Sequence, residues 1–132
     1  MRILVDTSVW SLSLRKGGPA DHPAVERLNQ YLASGENLFL TGVILQEILQ
    51  AYRSERTAEN VAGYLDPFPL LEIDRAGIKA AARLFRQCRS KGIAVSTIDS
   101  HIAAAAIGHS CALLTADRDF ERVATVSELQ LA

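Results

Sequence analysis

Five acids in this 132-residue sequence sit where chemistry could be done: Asp6, Glu47, Asp99, Asp117 and, two residues on, Asp119. Carboxylates gathered at one place repel one another unless they are protonated or bridged by a cation. Donors that are all oxygen favour Mg²⁺, with Mn²⁺ as a substitute. A cation held by acids suits phosphodiester hydrolysis, because it can activate water and neutralise charge on the scissile phosphate. His22, His101 and His109 share no ligand spacing, so zinc fits poorly. No glycine-rich phosphate loop is present, which argues against a nucleoside-triphosphate enzyme.

Each acid also has a plainer reading. Asp6 can cap the helix that follows it. Glu47 can be a solvated acid at the edge of a helix face. Ser96-Thr97-Ile98-Asp99 has the form of a capping box, although Asp is shorter than the Glu or Gln that motif prefers. Asp99 also shares a helical face with Ile102, Ala103 and Ala106, which should point inward. Asp117 and Asp119 can be turn residues in Thr115-Ala116-Asp117-Arg118-Asp119.

The elements that must position these acids follow from apolar patterning. Ile3, Leu4 and Val5 are a short continuous apolar run, as in a strand buried on both faces of a parallel sheet. Asp6 then falls at the strand's carboxyl end, the edge where open α/β sheets bind ligands. A short helix with Val9, Trp10, Leu12 and Leu14 comes next, then a break from Arg15 to Pro19 that includes Gly17 and Gly18. Asp21 is placed to cap a helix from about His22 that Gly35 stops. Leu38–Thr41 reads as a second strand, and Thr41 and Gly42 then open a helix to about Tyr52 that carries Glu47. A further helix runs to about Leu65, and Pro67 and Pro69 end it. Leu70–Ile73 reads as a third strand. Asp74 caps a long helix, about Arg75–Ser90, with Arg75, Lys79, Arg83, Arg86 and Arg89 on one side. Ile78, Ala81, Leu84, Phe85 and Cys88 are expected on the other. Gly92 breaks this helix, and Ser96 opens another to about Ile107. Ala112–Thr115 is a fourth strand, Phe120–Val123 a short helix, and Val126 with Leu129–Leu131 a last strand or tail. Alternation of this kind predicts a central parallel sheet of four to five strands with helices on both faces.

Length predicts one domain over residues 1–132. Apolar content of 48% is ordinary for a globular chain, and no apolar run reaches the length of a membrane span. The start leads straight into a strand and does not read as a signal peptide. Cys88 and Cys111 lack metal-site spacing and are too few for a disulfide framework, so the expected setting is reducing cytoplasm. The net charge of −1 gives no global nucleic-acid signature, so any such surface must be local.

On these residues the sequence resembles PIN-domain ribonucleases, and among them the VapC-type toxins of bacterial toxin–antitoxin pairs. The carriers are Ile3-Leu4-Val5-Asp6-Thr7-Ser8, Leu45-Gln46-Glu47-Ile48, Thr97-Ile98-Asp99-Ser100-His101-Ile102-Ala103-Ala104 and Leu114-Thr115-Ala116-Asp117-Arg118-Asp119-Phe120. They stand in order along nearly the whole chain. The resemblance implies a PIN-like α/β fold and an acidic Mg²⁺ site of Asp6, Glu47, Asp99 and Asp117, with Asp119 at a more variable position. Ser8 and Thr115 would orient carboxylates or water. It further implies endonucleolytic RNA cleavage by metal-activated water, leaving 5′-phosphate and 3′-hydroxyl ends. A homodimer and an inhibiting antitoxin, which inserts a segment into the active-site groove, complete the implied picture.

For RNA contacts, Arg53 and Arg56 near the Glu47 helix and Arg83 and Arg86 on the long helix are candidates; the plainer reading of the long-helix stripe is a solvated face. Core packing is the reading for Trp10, Leu12, Leu14 and Tyr31, with a partner contact as the alternative. Rival functions are a non-toxin PIN nuclease for RNA processing, a PIN fold that only binds, and a receiver-like signalling module. The receiver would want a pair of acids at the first strand's end and a Lys after a late strand, and there is no Lys after Lys91. A phosphatase with a strand-end Asp nucleophile would want a second Asp where Ser8 stands.

Overall fold

The computed structural model describes residues 1–15 and 21–132. Four strands lie among them: β1 (Arg2–Val5), β2 (Asn37–Thr41), β3 (Leu70–Leu71) and β4 (Ala112–Leu114). They pair in parallel in the order β3-β2-β1-β4. Ile3, Leu4 and Val5 are all 0% exposed. Successive strand side chains point to opposite faces, so both faces of β1 are covered.

The helices are α1 (Thr7–Leu14), α2 (Pro23–Ala33), α3 (Gly42–Gln50), α4 (Glu55–Leu65), α5 (Arg75–Ser90), α6 (Thr97–Gly108) and α7 (Asp119–Thr125). Their main packing falls into two groups: α1 with α2 and α3 and α3 with α4, and α5 with α6. Helix α3 also packs on β2, and α6 on β4. The core joins β1, β2 and β4 to Val9, Trp10, Leu28, Ile44, Leu84, Ile102 and Phe120. Trp10 is fully buried against Tyr64 and Phe68, at ring-centroid distances of 6.3 and 5.4 Å. Leu12, Leu14 and Tyr31 are half-buried.

Several local expectations hold. Thr41, Asp74 and Ser96 cap α3, α5 and α6 by accepting from Ile44 N, Gly77 N and Asp99 N. Gly35 and Gly92 take positive φ of 71° and 74° after α2 and α5, the region glycine enters without steric cost. Both cysteines are free and buried. Others need correction. His22, not Asp21, caps α2: Pro23 occupies the first helical position, so the cap falls one residue before it, and His22 Nδ1 accepts from Ala24 N at 3.1 Å. Helix α3 stops at Gln50 rather than Tyr52. The third strand covers only Leu70–Leu71, squeezed between Pro69 and the Asp74 cap. Ile78 is 54% exposed, because at about 100° per residue it sits roughly 90° from the centre of the Ala81–Leu84–Cys88 stripe. Of the two readings of the C-terminal stretch, a last strand or a tail, the described residues show a tail, with one isolated parallel bridge from Leu131 to Leu113 at the open edge of β4, and the sheet has four strands. Arg15 closes α1 in extended conformation; the rest of the expected break, through Gly17, Gly18 and Pro19, lies outside the described residues.

Candidate active site

The strand order places β4 beside β1 on the side opposite β2. The chain therefore winds outward from β1 to β3 and then crosses back to β4, which makes the gap beyond the carboxyl ends of β1 and β4 the topological switch point. Val5 pairs with Leu114, and Asp6 N donates to Leu114 O at 2.9 Å. The next residue on each strand, Asp6 and Thr115, thus emerges side by side.

Asp6 is 5% exposed. It occupies the N-cap position of α1, yet its side chain makes no capping hydrogen bond. Its Oδ2 instead accepts from Ser8 Oγ at 2.8 Å and from Thr115 Oγ1 at 2.9 Å. Each hydroxyl is held in turn: Ser8 Oγ accepts from Ala116 N, and Thr115 Oγ1 from Asp117 N, both at 3.0 Å. Burial pushes the Asp6 carboxyl above its ordinary range, and the two hydroxyls work against that push.

Glu47, half-buried on α3, reaches the site through Thr7, whose Oγ1 donates to Oε1 at 2.8 Å. Thr7 is not among the residues that sequence chemistry singles out; its signal there is adjacency to the first acid in the Asp6-Thr7-Ser8 run. Asp99 stands in the first turn of α6. Its backbone N–H satisfies Ser96, so half of the capping box is real. Its carboxyl is raised to about 6, first by burial and then by Asp6 and Asp117; Glu47 contributes in the same direction, and Ser96 opposes. Carboxylates from three other elements thus act on Asp99. Asp117 follows β4, and its Oδ1 accepts from Asp119 N at 2.9 Å, which is the turn geometry expected of it. Asp119 is exposed and shares with Asp99, Ser96 and Phe120 the lining of a cavity of about 340 Å³.

No arginine or lysine neutralises this cluster: among the described residues the only salt bridge joins the Met1 amino group to Glu36. Nor do three acidic, histidine or cysteine side chains among those residues form a group that could hold a metal ion as they stand. In kind, the donors fit a hard divalent ion, being carboxylate oxygens with surplus negative charge and no thiolate or imidazole among them. The arginine candidates lie elsewhere. Arg53, Arg56, Arg83 and Arg86 are exposed, and Arg86 lines a groove between α5 and α6 with Ile78, Phe85, Arg89 and His101.

Comparison with known proteins places the chain in a family. The PIN domain family matches residues 3–126. Ribonuclease VapC11 of Mycobacterium tuberculosis is 33% identical over 132 residues, covering 98% of this chain and 97% of its own. Ribonuclease VapC4 of the same organism is 31% identical with the same coverage. Among solved structures, VapBC2 from Rickettsia felis bound to a promoter DNA fragment superposes with a TM-score of 0.80 at 16% identity, over 100% of this chain and 98% of that one. VapC20 of M. tuberculosis, a sarcin-ricin loop cleaving toxin, superposes with a TM-score of 0.69 at 22% identity, over 97% and 98%.

Proposed function

The chain belongs to the PIN-domain family, in its VapC branch, and from that membership and its acidic centre we propose that residues 1–132 form one divalent-metal-dependent endoribonuclease domain acting as the toxin of a toxin–antitoxin pair. The observation that carries this reading is the convergence of Asp6, Glu47, Asp99 and Asp117 at the switch point with no cationic side chain among them. These four residues would hold Mg²⁺, or Mn²⁺ in its place, with Asp119 flanking the set. When bound, the ion supplies an activated water and charge neutralisation at the scissile phosphate.

The protein's own groups do the positioning. Ser8 and Thr115 hold Asp6 by one oxygen, and Thr7 holds Glu47, so two carboxylates keep their orientation against mutual repulsion. The raised proton affinity of Asp99 leaves that carboxyl ready to exchange a proton for a cation. No side-chain nucleophile is needed. Mycobacterial relatives named as ribonucleases support RNA as the substrate. Neighbouring structures of VapBC complexes support an antitoxin as partner, and family membership supports a homodimer. Among the described residues no helix is long and apolar enough to cross a membrane, and the cytoplasm is the proposed location.

The test is cleavage of total cellular RNA by the purified protein with Mg²⁺ or Mn²⁺, with EDTA, and with Asp6→Asn. Discrete cuts that vanish with EDTA and with the variant are expected. Intact RNA under every condition would count against the nuclease.

A further inference from the structure

A second cavity, of about 360 Å³, borders the acidic centre at Thr115 and Asp117, just beyond the carboxyl end of β4. Thr115 and Asp117 form its inner wall. Beyond them it is lined by His22, Arg27 and Arg118, with Pro23 and Leu131 as apolar surface and Glu121 as the opposing charge. The α2 N-terminus and the tail enclose it. Ala132 N donates to Leu113 O, and Arg27 Nη1 donates to Ala132 O at 3.1 Å, which keeps the tail along the β4 edge. His22 Nδ1 is used in accepting from Ala24 N, so the neutral ring carries its proton on Nε2 and offers a donor there. Leu131 is 38% exposed and offers an apolar surface that a base can cover.

We propose that this cavity is a nucleotide subsite that takes one nucleotide of the single-stranded RNA substrate next to the scissile phosphate. Arg118 and the His22 Nε2–H contact its phosphate, and Pro23 and Leu131 contact its base. The proposal rests on the nuclease reading above. Its volume lies at the small end of ligand sites, which suits one nucleotide rather than a duplex. Its cations, Arg27 and Arg118, share the lining with an acid of the centre, Asp117. The arginine stripe of α5 does not: Arg86 and Arg89 line a groove to which none of the four acids contributes. In a chain of net charge −1, phosphate binding has to come from such local groups.

The experiment measures binding of a short fluorescein-labelled single-stranded RNA of mixed sequence by anisotropy, in EDTA, across a salt series. Steady-state cleavage with Mg²⁺ is measured in parallel. The variants are Arg118→Ala, His22→Asn, which keeps a helix-capping side chain, and Arg122→Ala as a control on α7 outside the cavity. Arg118→Ala should weaken binding about tenfold and flatten the slope of log Kd against log salt by about 0.7, the share of one phosphate contact on a single strand. It should raise KM with little change in kcat, and His22→Asn should move KM the same way. If wild type cuts RNA and both variants match it in KM and salt slope, the subsite falls and the nuclease stands. If kcat falls while KM holds, Arg118 acts on Asp117 and not on a nucleotide, which also overturns the subsite. Failure of wild type to bind or cut RNA removes both readings together.

Discussion

Thr115 donates a 2.9 Å hydrogen bond to Asp6 Oδ2 across 109 positions of sequence, and its own oxygen accepts from Asp117 N. One hydroxyl therefore fixes the first acid of the centre and the backbone that carries the last. Replacing it with the near-isosteric Thr115→Val should cut Mg²⁺-dependent RNA cleavage about 10- to 100-fold, the usual effect of losing a group that orients a metal ligand. The stranded Asp117 N–H should lower unfolding stability by about 1–3 kcal/mol, read by urea denaturation. Unchanged cleavage would mean that Ser8 alone suffices to orient Asp6.

Thr7→Val isolates the second positioning bond. The Thr7 side chain hydrogen-bonds Glu47 and no other acid of the centre, so the substitution leaves its backbone N–H at Asp6 in place. Its loss should weaken Mg²⁺ binding, measured by calorimetry, about 10- to 100-fold while RNA binding in EDTA stays at the wild-type level. Equal metal affinity in the two proteins would remove Thr7 from the design.

Asp99 sets a pH dependence whose sign can be worked out. Its folded carboxyl titrates at about 6 against 3.8 for an ordinary Asp, so the folded state binds the proton more tightly than the unfolded one. The stability linked to this group is therefore fully present below 3.8 and is lost as pH rises through about 6. In metal-free protein, Asp99→Asn should have a higher Tm than wild type at pH 7.5, and the gap should close as pH falls toward 4. A gap independent of pH would show that Asp99 carries no excess repulsion.

The same proton competes with a cation. Saturating Mg²⁺ should raise the Tm of wild type at pH 7.5, and the rise should shrink as pH falls through about 6. Asp99→Asn should fold, lose most of that rise and cleave RNA at least about 100-fold more slowly. Normal cleavage by this variant would return Asp99 to a capping role.

Charge reversal of Arg83 and Arg86 together tests the α5 stripe. Both are exposed, and the stripe borders none of the four acids. RNA affinity and its salt slope should change less than in Arg118→Ala. A larger loss would move the RNA path onto α5.

Much of the scaffold was legible in the chain because its signals are local. A run of three apolar residues marks a buried strand, Thr41, Asp74 and Ser96 announce helix starts, and strand–helix alternation leaves a parallel sheet as the economical arrangement. Misplaced details were those decided by neighbours in space. Ile78 has an apolar side chain but sits at an angle the core does not cover, and the third strand stops at Leu71 between Pro69 and the Asp74 cap.

The residue types themselves determined the chemistry: oxygen donors, surplus negative charge and no thiolate or imidazole constellation follow from composition at the strand ends. Tertiary structure alone decided which groups meet. The order β3-β2-β1-β4 and the pairing of Val5 with Leu114 bring Thr115 and Ser8 to the same oxygen of Asp6, and the packing of α3 brings Glu47 to Thr7. Hydrogen bonds act over about 3 Å, so their partners are fixed by register and packing between segments up to 109 residues apart, which no local pattern encodes.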